Sequence, residues 1–253
     1  MVALTSRRIS GAGTPESQWV EWSGLTRVPE IDLDALVPNG CRAVVVAPHP
    51  DDEVLGTGGL LARLSASGRE ILIVAATDGE ASHPGSLRWP PHVLAEQRAL
   101  ERRRALRHLG VERAAVVQAH LRDGALASDE EALTTFLSLH CGMNDVLFVP
   151  WRFDGHPDHE AAAQAVLHHA SATGAKVVEV PIWAWHWTVP ADPCVPWPRA
   201  RRVPLDPPLL VRKRRAVASY VSQIEPDRSA HRDAVLPAWA LARWLRPYEV
   251  LFL

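Results

Sequence analysis

Two short runs concentrate the residues able to do chemistry. His49, Asp51, Asp52 and Glu53 fall in A-P-H-P-D-D-E, and His156, Asp158 and His159 fall in H-P-D-H. A catalytic zinc ion takes three imidazole and carboxylate ligands and leaves one position for water; His49, Asp52 and His159 supply such a set. The metal, zinc or another divalent ion, would lower the pKa of its water toward ~7 and polarise an amide carbonyl. A second carboxylate must then take the proton, and Asp51, adjacent to a ligand, is expected to be that general base. His156 stands three residues before His159 across a proline. Protonated, it would stabilise a tetrahedral oxyanion or donate to a leaving amine, with Asp158 orienting it and favouring its charged form. Glu53 reads equally well as a carboxylate opening a helix, where the dipole favours it. His108, His120, His140, His168 and His169 read as ordinary surface or core residues. The two runs differ from these because so many polar groups brought together unpaired would be costly to bury.

Positioning those runs requires a scaffold. Short apolar runs alternate with helix-length amphipathic segments, the pattern of a mostly parallel sheet covered on both faces. Strands are predicted at 43–48, 71–76, 114–118, 146–150 and 177–182, with 249–253 as an edge strand. Helices are predicted near 54–66, 92–109, 129–140, 158–172 and 207–221. The fold class is therefore α/β, a three-layer Rossmann-like sandwich. In such sheets ligands bind beyond the carboxyl ends of the strands, where both polar runs fall.

Residues 1–40 read as an irregular arm, packed through Trp19 and Trp22 on a domain spanning 41–253. G-T-G-G at 56–59 lacks the third glycine of a dinucleotide loop, since Leu61 stands there, and reads as close helix packing. The stretch 183–208, dense in proline and tryptophan, reads as an ordered loop. Within it Trp183, Trp185, His186 and Trp187 are expected to wall or cover the substrate pocket; the alternative is a strand with one aromatic face in the core.

A net charge of -2 gives no electrostatic case for nucleic acid or an anionic membrane and favours a small, weakly charged ligand. No run approaches the ~18–20 apolar residues of a membrane span. Cys41, Cys141 and Cys194 are too few and too scattered for a disulfide framework, and with no apolar leader segment at the start they point to a reducing cytoplasm.

Taken together, A-P-H-P-D-D-E at 47–53, T-D-G-E at 77–80 and H-P-D-H at 156–159 resemble the PIG-L/LmbE-like family of metal-dependent N-deacetylases. The similarity continues through Arg98, Glu101, Ala105, Leu109-Gly110, Asp123-Gly124, Lys213, Ala216 and Ser222-Gln223. The resemblance implies hydrolysis of an N-acetyl group on an amino sugar or glycoconjugate. It implies zinc ligation at His49, Asp52 and His159, a base at Asp51, and His156 stabilising the intermediate with Asp158 as its partner. It also implies contact of Asp123 with sugar hydroxyls, with Arg88 a looser substrate-binding candidate. Asp154 stands where mycothiol-type members tend to carry tyrosine, which bears on substrate choice. Two competing readings remain open from the residues: a metal phosphoesterase, which needs more carboxylates and arginines than are visible, and a catalytically silent sugar-binding member of the same fold.

Overall fold

Runs of β-branched residues with no polar face become strands buried on both sides. In the computed structural model, which describes Arg7 and residues 9–253, strand β1 (Arg42–Ala47) sends Ala43 and Val45 into one core cluster and Val44 and Val46 into the other. Each such fully buried valine contributes about 1.5–3 kcal/mol. The chain continues through α1 (Asp52–Ala66), β2 (Ile71–Thr77), α2 (Pro91–Leu109), β3 (Ala115–Leu121), α3 (Glu130–His140), β4 (Asp145–Pro150), α4 (Pro157–Thr173) and β5 (Lys176–Val180). It ends with β6 (Ala200–Pro204), α5 (Pro207–Val217) and β7 (Tyr248–Phe252).

The seven strands lie in the order β3-β2-β1-β4-β5-β7-β6. β1 to β5 are parallel, and β7 runs antiparallel to β5 and β6. Helices α1, α2 and α5 cover one face, and α3 and α4 the other. The α/β sandwich and its mostly parallel sheet are thus as expected. Because the chain leaves β1 for β2 on one side and returns to β4 on the other, the sheet has its switch point between β1 and β4. A crevice opens there at the carboxyl ends of the strands.

Differences from expectation have local causes. β6 was not anticipated, because A-R-R-V-P is flanked by prolines and carries charge on an edge. β7 is not an edge strand but lies between β5 and β6. β5 stops at Val180 because the amides of Ile182, Trp183 and Ala184 turn aside to the Asp154 carboxylate. Helix α5 stops at Val217 rather than at 221, and Glu101 then takes the amide and hydroxyl of Ser222. The glycines at 56–59 admit close neighbours: a Cβ on Gly59 would lie 2.3 Å from Leu205, and one on Gly56 would lie 2.7 Å from Val180.

In the arm, Trp19 is fully buried, meets Trp185 edge-on at 5.0 Å between centroids and donates its indole N–H to the Trp185 carbonyl. Residues 1–6 and 8 of the expected arm lie outside the described residues. No helix among the described residues is long and apolar enough to cross a membrane.

Candidate metal centre and active site

Each polar run sits at a strand end and opens a helix. After β1, the Pro48 carbonyl is held by the amide and hydroxyl of Thr77 on β2, which fixes the loop carrying His49. Asp51 precedes α1, while Asp52 and Glu53 occupy its first turn, where unpaired amides and the helix dipole favour carboxylates. After β4 a short loop reaches His156, the N-cap of α4, with Asp158 and His159 in the first turn.

The two helix starts converge on the Oδ2 atom of Asp52. It lies 3.3 Å from His49 Nδ1 and 3.2 Å from His159 Nε2, and it accepts the His49 amide at 3.0 Å. The opposite nitrogen of each imidazole is already committed. His49 Nε2 lies 3.1 Å from Asp158 and 3.2 Å from Asp123, and His159 Nδ1 lies 2.8 Å from Asp154. A carboxylate on one ring nitrogen fixes the tautomer and leaves the other as a lone pair. His159 Nε2 is accordingly buried with no hydrogen-bond partner, aimed at a carboxylate oxygen that is also an acceptor. Acceptors facing one point in the protein interior need a proton or a cation between them, and these donor atoms fit a divalent metal.

Ligand-type atoms of His49, His156 and His159 also lie within 4.8 Å of one another, as do those of His49, Asp123 and Asp158. In the first of these sets His156 Nδ1 is already used, accepting the Asp158 amide at 3.2 Å. In the second, Asp158 already accepts the amides of Gly124 and Leu126. Asp52 Oδ2 is the atom that both free lone pairs face.

The surroundings order the charges. Burial works against a charged His49, yet Asp123, Asp158 and Asp52 together raise it well above the usual histidine range. His159 is likewise opposed by burial but raised by Asp52 and Asp154 to about 9. Burial raises the Asp51 carboxyl even though Arg98 stands 3.1 Å away. Burial, with His159 and His49 beside it, lowers His156 to about 3. A neutral His156 that accepts at Nδ1 carries its proton on Nε2, which makes it a donor.

His49, Asp51, Asp52, Asp123 and His156 line one cavity of about 310 Å³, with Arg98, Trp183 and Gln223 among its other walls. Asp158 stands behind His49: its carboxylate faces that ring, and only its backbone amide meets His156, so the expected carboxylate–His156 pairing is replaced. Asp123 combines its contact to His49 with acceptance of the Ala81 amide at 2.8 Å.

Three substrate candidates are not brought to this cavity. Arg88 is exposed, reaches Glu225 at 3.4 Å and stacks on Trp89. Trp185 is buried against Trp19 and under the Arg246 guanidinium. The His186 ring is held between Ser10 and Arg243. The 183–187 tract forms a short helix over Ala184–Trp187, neither strand nor open loop, and within it Trp183 faces the cavity.

Sequence reasoning missed the part played by Asp154. It is fully buried and accepts from His159 and from three amides following β5, so it orients a ring of the centre and ties β4 to β5. Its signal was a carboxylate five residues before a candidate ligand, which served only as a mark of substrate type.

Fold and site together define a Rossmann-like α/β protein with a histidine–carboxylate centre at the sheet's switch point. A family model described as PIG-L, GlcNAc-PI de-N-acetylase, matches residues 44–170. The chain belongs to this family. It is 32% identical over 175 residues to a 1D-myo-inositol 2-acetamido-2-deoxy-alpha-D-glucopyranoside deacetylase of Mycobacteroides abscessus, a match covering 58% of this chain and 60% of the relative. It is 28% identical over 138 residues to a diacetylchitobiose deacetylase of Thermococcus kodakarensis, covering 53% of this chain and 50% of that protein. The matches thus span only about half to three fifths of these relatives' length. Among solved structures, a conserved protein of Thermus thermophilus superposes with a TM-score of 0.54 at 27% identity, covering 73% of this chain and 80% of that one. An N,N'-diacetylchitobiose deacetylase from Pyrococcus horikoshii, at 22% identity and a TM-score of 0.55, shares the fold.

Proposed function

We propose that the protein is a metal-dependent N-deacetylase, hydrolysing the N-acetyl amide of an amino sugar or glycoconjugate to the free amine and acetate. The observation that carries this reading is the buried, partnerless His159 Nε2 facing Asp52, beside an open cavity lined by a second carboxylate, Asp51. His49 Nδ1, Asp52 and His159 Nε2 would hold the ion. Bound there, a divalent cation, zinc in the first instance, supplies Lewis acidity to the amide carbonyl and to the attacking water.

The chain's own groups do the rest. Asp51 receives the proton of the attacking water, and its raised affinity for protons, set by burial, suits a base. Arg98 holds the Asp51 carboxylate in place. His156 offers its Nε2 proton to the oxyanion that forms as water adds to the carbonyl carbon. When the carbon–nitrogen bond breaks, the proton taken by Asp51 returns to the departing amine. Asp158 and Asp154 orient the His49 and His159 rings, and Asp123 presents a carboxylate edge to sugar hydroxyls at the cavity wall.

The names carried by the relatives, deacetylases of acetamido sugars, agree with this chemistry. A phosphoesterase is disfavoured because Arg98, the arginine lining the cavity, is already paired with Asp51. The test is amine release from N-acetylglucosamine and its glycosides by protein stripped of metal and then reloaded. Release should require the ion, and full activity in thoroughly stripped protein refutes the proposal.

A further inference from the structure

We infer that the substrate carries an uncharged aryl or alkyl group on its amino sugar, and that this group lies in a groove adjoining the metal cavity. The inference rests on the deacetylase reading above. The groove has a volume of about 600 Å³ and shares Trp183 and Val235 with the cavity. The two hollows therefore adjoin at one indole, past which a group on a ligand seated at His49 would reach the groove. Its walls include Trp239, 46% exposed, and Val235, 37% exposed. Large apolar side chains left open around one concave site mark a place where an apolar ligand part is covered.

The chemistry of the walls selects the occupant. Among the described residues no lysine or arginine lines the groove, and its one formal charge is the carboxylate of Asp233, which disfavours a phosphate-bearing aglycone. His186 also lines it, but its Nε2 is matched to the Ser10 carbonyl and its Nδ1 to the Arg243 guanidinium, so it offers ring surface rather than hydrogen bonds. A polyol aglycone would find hydrogen-bond partners there only at the exposed Ser10 and Asp233 and would leave the indole faces uncovered. An aryl or alkyl group, by contrast, is covered by Trp183 and Trp239.

The groove is built from the arm, from Trp183 and His186, and from residues between 224 and 240. All of these lie outside the region matched by the family model. The arm side is anchored: the Thr14 amide donates to the His186 carbonyl at 2.8 Å, and Arg243 donates to the carbonyls of Ala12 and Thr14.

The test is calorimetric titration of the full, metal-loaded chain with N-acetylglucosamine, its phenyl glycoside and its 1-phosphate. The phenyl glycoside should bind at least about tenfold more tightly than the free sugar, the weight of one well-covered aromatic group, and the 1-phosphate should gain nothing. Trp239→Ala, and separately Ala238→Glu at an exposed position of the groove, should each remove that gain and leave affinity for the free sugar unchanged. Equal affinity for sugar and phenyl glycoside, or a gain that survives both variants, overturns the inference. So does sedimentation showing a dimer that Ala238→Glu dissolves, because a second copy would then fill the groove. Tight phenyl-glycoside binding without any amine release would instead overturn only the deacetylase reading.

Discussion

Two of the buried polar clusters among the described residues differ in whether donors meet acceptors. Lys213 and Glu249 meet at 2.6 Å in the layer of α1 and α5. The lysine also donates to the Leu55 carbonyl, and the glutamate accepts the amides of Gly59 and Leu60. At the strand-end centre, two imidazole lone pairs face one carboxylate oxygen, and His159 Nε2 has no partner. A closed set of partners fixes packing, whereas acceptors aimed at one another reserve room for a cation. Buried charge alone would not have separated the two sites; the sense of the donors and acceptors does.

The largest effects that sharpen this contrast belong to the open centre. Asp51→Asn and His156→Ala should each lower turnover by about two to four orders of magnitude, with metal content and melting temperature near those of the parent. Loss of metal from either variant, with normal turnover once metal is resupplied, would remove the assigned role. Asp154→Asn should weaken metal affinity by about 10- to 100-fold, read by competition with a chelating dye, because the His159 ring then loses its anchor.

The closed cluster should respond in stability instead. Lys213→Met leaves Glu249 buried without its cation and should cost about 3–5 kcal/mol in denaturant unfolding, with turnover per folded molecule unchanged. Trp185→Ala should cost a similar ~3–5 kcal/mol, as a large core side chain does, and should not distinguish a small substrate from a large one. A selective loss on large glycoconjugates would return that residue to the substrate site.

The smallest effect is one of pH. Glu179 is buried, which alone would raise its pKa, but Arg152 and Arg199 outweigh that and hold it below the usual glutamate range. Its folded pKa is depressed, so its contribution is present above its unfolded value of about 4.3 and is lost as pH falls through the folded one. Glu179→Gln should therefore flatten the acid limb of stability measured against pH. An unchanged acid limb would show that this pair adds nothing.

The sequence made the sheet legible wherever the apolar runs were long, as in A-V-V-V-A of β1, because burial on both faces leaves no competing pattern. It failed at β6, where proline and arginine hide a short edge strand, and at the tryptophan tract, where aromatic spacing suits wall and core alike. Only the three-dimensional position of Trp19 shows which face of that tract is covered. At the site, residue types and spacing brought His49, Asp51, Asp52, His156 and His159 to one place. They could not reveal that Asp158 turns its carboxylate to His49 or that Asp154 holds His159, because those pairings depend on how two helix starts meet across the switch point.

Whether the unmatched acceptors at the strand ends hold one divalent ion, as proposed, is decided by metal stoichiometry and affinity, by elemental analysis and calorimetry, on the parent and on Asp52→Asn. One ion per chain is expected in the parent and its loss in Asp52→Asn, with the fold intact. A parent that binds no ion, or a variant that binds it undiminished, would exclude a metal held by Asp52 at this centre.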